Sequence, residues 1–166
     1  MNKKMNKKIK VIIYTDGGAS PNPGLGGWAA ILISPAHNLK KEFYGSETQT
    51  TNNRMELTAA IKALEALKYP CEVDLHTDSS YLQKAFDNGW IYKWRKNGWK
   101  TFSGESVLNK DLWTKLWNLS KVHKVNWYWV KGHDENKMNN RCDELVQKAR
   151  EEYKFKSSHD PTYQII

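Results

Sequence analysis

The amino-acid sequence predicts an α/β domain folded around one mixed β-sheet. Three features lead there: three β-rich runs in series joined by short turn segments, an abrupt change to helical periodicity near residue 51, and an alternation of strand-like and helix-like segments beyond it. Residues 9–15 carry the apolar and β-branched residues of a first strand, and "SPNPGLGG" supplies turn chemistry after it. "WAAILIS" and "KKEFYGSE", separated by "PAHN", read as two more strands, so the first three form an antiparallel meander. "TTNNRMELTAAIKALEALKYP" then has Thr or Asn as an N-cap, an apolar stripe at Leu57, Ala60, Ile61, Leu64 and Leu67, and a closing proline. "EVDLHTD" alternates as a strand. "SSYLQKAFDNG" reads as a short helix capped by Ser79 or Ser80, "DLWTKLWNLSKVH" as a helix, "KVNWYWVKG" as a strand and "NNRCDELVQKAREEY" as a last helix.

A chain of 166 residues is expected to form one domain, here residues 9–153. It is flanked by a basic tail at 1–8, where "MNKK" is written twice, and a polar tail at 154–166. The formal charge of +8 favours polyanionic partners, nucleic acid first among them. Cys71 and Cys142 are the two cysteines, too few for a disulfide framework or a four-cysteine zinc site, and a reducing, cytoplasmic setting is expected. The short apolar run after the basic N-terminus ends in Asp16 and lacks the length of a secretory or membrane-spanning segment, so no membrane association is expected.

Four of the 18 acids fall where an unpaired carboxylate is costly. Asp16 follows "VIIYT" and Asp78 follows "VDLHT", each where an apolar strand gives way to Gly or Ser; if those strands lie parallel and adjacent, the two carboxylates converge. Glu56 sits one helical turn before Ala60, on the margin of the buried face, and Asp143 flanks the stripe Cys142, Leu145, Val146 and Ala149 in the same way. Singly, each acid also reads as a cap, a turn residue or a member of a surface pair. Together in a partly dry site they repel one another, and a hard, oxygen-preferring ion compensates: Mg²⁺, with Mn²⁺ as a possible substitute.

"YTDGG", "TTNNRMEL", "TDSSY", "WVKGH" and "NNRCDEL", in this order over residues 9–150, resemble ribonuclease H of the type 1 class, close to the bacterial enzymes. The resemblance implies the ribonuclease H-like fold, a mixed five-stranded sheet with an antiparallel meander, parallel strands and helices on both faces. It implies endonucleolytic cleavage of the RNA strand of an RNA–DNA hybrid, leaving 5′-phosphate and 3′-hydroxyl ends. The family's metal-binding carboxylates fall on Asp16, Glu56, Asp78 and Asp143, and His133 of "WVKGH" matches a residue that assists proton transfer or product departure. Two ions about 3.5–4 Å apart suit such a hydrolysis, because they stabilise the attacking and the leaving oxygen without a covalent nucleophile.

The segment "KAFDNGWIYKWRKNGWKT" interleaves Lys84, Lys93, Arg95, Lys96 and Lys100 with Trp90, Trp94 and Trp99, and resembles the basic protrusion of bacterial members that grips the DNA strand. A helix with core tryptophans and a solvated charged face is the other reading. Trp113, Trp117, Trp127 and Trp129 recur at helix or strand spacing and are expected mainly in the core. Asn22, Thr51, Asn52 and Asn53 are candidates to contact phosphate or the 2′-hydroxyl, although Thr51 and Asn52 also suit a helix cap. Glycines 24, 26 and 27 are expected to permit a turn and a close approach to the RNA strand. Ser80 and Asn140 depart from the family pattern, where a longer amide and an acid are common. A monomer without an obligate protein partner is expected. A hybrid-binding module without catalysis, another nuclease on the same fold and an actin-like phosphotransferase are the rivals; the four acids, "TTNNRMEL" and the chain length speak against them in turn.

Overall fold

The computed structural model describes residues 8–130 and 136–159. Strands β1 (Ile9–Ala19), β2 (Gly24–Ser34) and β3 (Leu39–Thr50) form the meander, paired antiparallel in series. Helix α1 (Asn52–Glu65) carries the chain back across the sheet, so that β4 (Cys71–Thr77) lies parallel to β1 on its free side. Helices α2 (Ser80–Asp87), α3 (Trp90–Lys96) and α4 (Lys110–Val122) lead to β5 (Lys124–Trp129), parallel to β4, and α5 (Lys137–His159) follows. The sheet order is β3-β2-β1-β4-β5, the mixed five-stranded arrangement expected from the sequence.

Strand alternation sends β1 side chains to opposite faces, and the two faces are covered differently. Val11, Ile13, Leu32, Val73 and Leu75 bury against Leu57, Ile61 and Leu64 of α1 and Trp113 and Leu116 of α4. On the reverse face Ala29 and Ile31 pack on Cys142, Leu145 and Val146 of α5. Burial of this apolar surface holds both layers to the sheet at roughly 25 cal/mol per Å². Among the described residues no helix is long and apolar enough to cross a membrane.

Helix α1 begins at the predicted cap: the Thr51 hydroxyl accepts a 3.2 Å hydrogen bond from the Arg54 N–H. Alanines 59, 60 and 63 let it lie flat on the sheet, and it stops before Pro70. Ser79, not Ser80, caps α2, accepting from the Leu82 N–H at 3.1 Å.

Two boundaries depart from the sequence reading. Strand β1 does not end at Thr15; it continues to Ala19, because β2 offers partners from Ala29, opposite Asp16, to Gly26, opposite Ala19. At the other end, α5 runs on to His159 through residues 154–159, which were expected in a polar tail. Nothing in that stretch breaks a helix before Pro161, and the Ser157 hydroxyl donates to the Tyr153 carbonyl one turn back. The expected tail residues 1–7 and 160–166 lie outside the described residues.

Packing alone also requires Gly26 and Gly27, a constraint additional to the turn and close approach expected of them. A Cβ on Gly26 would stand 2.2 Å from Thr50 Cγ2 and 2.7 Å from Met55 Cγ, and one on Gly27 2.6 Å from the Val146 carbonyl oxygen. Gly17 meets backbone instead of side chain, its would-be Cβ 2.4 Å from the carbonyl carbon and oxygen of Met55. That neighbour is helix backbone and cannot swing away. Gly17→Ala is therefore expected to destabilise the protein by about 1–3 kcal/mol and to push Glu56 away from Asp16, lowering turnover. Gly18→Ala, whose Cβ would meet the Asn52 side chain at an ordinary 3.5 Å, is the control and is expected near neutral in urea denaturation. Equal destabilisation by both changes would refute this account of α1.

Candidate active site

The pairing of β1 with β4 holds a constant register from Ile9 opposite Cys71 to Tyr14 opposite His76. Two residues further along stand Asp16, still within β1, and Asp78, the residue just past the end of β4. The two acids thus follow the end of the β1–β4 pairing, near enough for the Asp78 charge to act on the Asp16 carboxyl. Glu56 reaches them from the first turns of α1, which Gly17 allows to sit against β1. Asp143 comes from the reverse face, one residue after the buried Cys142 that fixes α5 on the sheet.

The electrostatics bear the mark of this convergence. The Asp16 carboxyl is pushed up to about 8, by burial first, then by the charge of Asp78, with Asp143 and Glu56 adding to it against a hydrogen bond from the Gly17 N–H. Glu56 is pushed up to about 7 by burial and by Asp78, opposed by the Ser79 hydroxyl that donates to its Oε2. All four acids are half-buried. They form a rim rather than a closed cage: among the described residues no three His, Cys, Asp or Glu side chains are grouped to hold an ion by themselves.

Four of the candidate substrate residues, Asn22, Thr51, Asn52 and Asn53, lie where the β1–β2 turn meets the start of α1. The Asn22 side-chain oxygen accepts from the Asn52 N–H at 3.1 Å, and the Asn52 side-chain oxygen accepts from the Ala19 N–H at 2.8 Å. The β1–β2 turn is thereby tied to the start of α1, where Thr51 and Asn53 flank Asn52. His133 lies outside the described residues. Ser80, one of the two departures, is exposed in the first turn of α2; Asn140, the other, is half-buried in the first turn of α5.

Helix α3 and the segment after it present Lys93, Lys96 and Lys100 to solvent, with Lys84 exposed on α2. The tryptophans divide the two roles suggested by the sequence. Trp94 and Trp99 pack on the main core, Trp94 against Trp113 at 5.5 Å between ring centroids, whereas Trp90 is exposed beside Trp94. Arg95 lies 5.6 Å over the Trp117 ring, so its guanidinium is partly engaged within the protein. Trp113 is fully buried, and Trp117, Trp127 and Trp129 are half-buried against the same core, in line with expectation.

Two supporting residues escaped the sequence reading. Ser79 was recognised as a cap, but its bond to Glu56 joins positions 23 residues apart and leaves no local pattern. Arg150, whose Nη1 donates to the Gly18 carbonyl at 3.3 Å, ties α5 to the edge of the site across 132 residues.

The chain is similar to known proteins in sequence and in fold. The family model described as RNase H matches residues 8–151. A ribonuclease H of Acetivibrio thermocellus is 58% identical over 137 residues, covering 82% of this chain and 92% of that protein. Among solved structures, LC9-RNase H1, a type 1 RNase H with the type 2 active-site motif, aligns with a TM-score of 0.76 at 27% identity, covering 87% of this chain and 74% of that one. LC11-RNase H1, solved in complex with an RNA/DNA hybrid, has the same fold, with a TM-score of 0.66 at 24% identity over 86% of this chain and 98% of that one. With the acid rim, the sheet order and a family match over most of its length, the chain belongs to the RNase H family.

Proposed function

We propose that the protein is an endoribonuclease that hydrolyses the RNA strand of RNA–DNA hybrids with two divalent metal ions, leaving 5′-phosphate and 3′-hydroxyl ends. The observation that carries this reading is the Asp16 carboxyl, held half-buried at the end of the β1–β4 pairing and raised to about 8 by burial and three neighbouring acids. An all-oxygen donor set whose members repel one another fits Mg²⁺ or Mn²⁺, and an open rim suits Mg²⁺, which takes part of its shell from water and substrate phosphate. Asp16, Glu56, Asp78 and Asp143 would hold the ions. When bound, such ions supply the positive charge that eases deprotonation of the attacking water and offsets charge on the leaving oxygen.

The chain's own side chains do the rest. Ser79 orients Glu56 through its hydroxyl. Asn22 and Asn52 use their side-chain oxygens to brace the β1–β2 turn against α1, which leaves their NH₂ groups to donate to phosphate or to the 2′-hydroxyl that distinguishes RNA from DNA. Thr51 and Asn53 flank them, Thr51 committing its hydroxyl to the cap. His133 serves as the proton carrier that helps product depart. Trp90, Lys93, Lys96 and Lys100, with Arg95, face the DNA strand, while Trp94 and Trp99 anchor that surface to the core. The protein acts as a cytoplasmic monomer in this reading.

The decisive experiment incubates the purified protein with matched RNA–DNA, RNA–RNA and DNA–DNA duplexes, with and without Mg²⁺. Cleavage is expected on the hybrid alone and only with the metal; cleavage that survives chelator, or that spares the hybrid, overturns the reading. The basic surface has its own test. Replacing Lys93, Lys96 and Lys100 together by Gln is expected to raise KM far more than it lowers kcat. The slope of log affinity against log salt should shrink by about 2–3, since each released phosphate contact contributes about 0.7–0.9. An unchanged slope means these lysines face away from nucleic acid.

A further inference from the structure

Phe102 is the one large apolar side chain among the described residues that stands wholly in solvent, at 106% of its reference exposure. Single exposed apolar residues are common, so exposure alone means little. What distinguishes Phe102 is that its backbone is braced. The Thr101 N–H donates to the Glu105 carbonyl at 2.7 Å and the Gly104 N–H to the Thr101 carbonyl at 2.9 Å, closing a tight turn around residues 102 and 103. The Thr101 hydroxyl accepts from the Glu105 N–H at 3.2 Å, and Gly104, at φ +89°, takes the left-handed conformation the turn needs.

This turn is fastened to the basic surface. The Asn97 side chain, at the C-cap of α3, donates to the carbonyls of Lys100 and Thr101 at 3.2 and 3.3 Å. Lys100 bridges to Ser106, and the buried Val107 donates its N–H to the Trp99 carbonyl at 3.0 Å. Phe102 is thus held out on a hydrogen-bonded turn two residues after Lys100, tied by Asn97 to the end of the helix whose last turn carries Lys93, Arg95 and Lys96. A phenyl ring presented among phosphate-binding cations suits a flat, apolar face attached to a phosphate chain. Within a duplex the base faces are already stacked; an unpaired nucleotide offers one.

We infer that Phe102 is a stacking platform for an unpaired nucleobase in single-stranded nucleic acid flanking the paired hybrid. The inference rests on the proposed hybrid-cleaving activity, and it makes the protein favour hybrids that continue into a single strand over blunt ones. The experiment compares kcat/KM for a blunt RNA–DNA hybrid and for the same hybrid carrying a single-stranded extension, placed in turn at each end. Wild type is expected to prefer an extended form, and Phe102→Ala to reduce that preference at least about fivefold, the low end of what one base–aromatic stack contributes. Phe102→Trp should retain the preference, and Phe102→Ala should leave the salt slope unaltered, because stacking releases no counterions.

Absence of any extension preference in wild type, or its persistence in Phe102→Ala, overturns the inference. Because the Phe102 ring stands in solvent, its replacement leaves the fold intact. Failure of wild type to cleave even the blunt hybrid with Mg²⁺ removes the parent reading instead, so the two failures are distinguishable.

Discussion

Asp16→Asn is expected to lower Mg²⁺-dependent cleavage of a labelled RNA–DNA hybrid by at least about a thousandfold, with circular dichroism unchanged. The substitution keeps size and shape but removes the charge at the centre of the acid rim, where Asp78, Asp143 and Glu56 all act on it. A site that stabilises charge in the transition state loses about 10²–10³ for one donor. If Asp16 holds an ion as proposed, its loss disturbs that ion as well and is expected to exceed this factor. Asp78→Asn, its partner across the β1–β4 pairing, should lose as much. Activity within tenfold of wild type in either variant would show that these carboxylates do not hold the essential ion. Hybrid binding measured in the same variants should persist, since the lysines of the α3 surface are untouched.

The same carboxylate should make the metal-free protein less stable as pH rises. Asp16 titrates near 3.8 when unfolded and at about 8 when folded. Below pH 4 it is protonated in both states and contributes nothing. Between pH 4 and 8 the unfolded chain ionises freely while the folded site resists, so stability falls across that window and levels off above it. Glu56, raised from 4.5 to about 7, adds to the loss in the same direction. A tenfold difference in proton affinity between the folded and unfolded chain is worth about 1.4 kcal/mol, so Asp16→Asn is expected to exceed wild type by about 2–5 kcal/mol at pH 8 in chelator and to match it near pH 4. The difference between the two proteins isolates this effect from acids such as Glu42 and Asp111, whose pKa values are lowered by Arg141 and Arg54 and whose contributions are lost in acid instead. Saturating Mg²⁺ should raise the melting temperature of wild type and narrow the gap. Coincident urea denaturation curves at pH 8 without metal would show that the rim carries no such strain.

Much of this was legible before any coordinates, for reasons specific to each element. Alternation along "EVDLHT" placed Asp78 at a strand end, and the stripe of α1 placed Glu56 at the margin of a buried face, because both periodicities are local properties of the backbone. The extension of β1 through Asp16 to Ala19 was not legible. "DGGA" has no strand pattern of its own and is extended because β2 pairs with it. The packing constraint on the glycines was hidden for a related reason: it comes, for Gly17 and Gly27, from helices α1 and α5, more than 35 and 115 residues away. Likewise, nothing local marks Trp94 and Trp99 as packed and Trp90 as exposed. Density of cations and rings located the surface, and tertiary contacts sorted its members.

Since the β1–β4 pairing stops just short of Asp16 and Asp78, the registry of two hydrogen-bonded strands sets where both acids emerge. Loop evolution can reshape which nucleic acid is admitted without detuning the distance between them. A slip of one residue between those strands, by contrast, would carry Asp16 to the opposite face of the sheet and dissolve the acid rim in a single stroke.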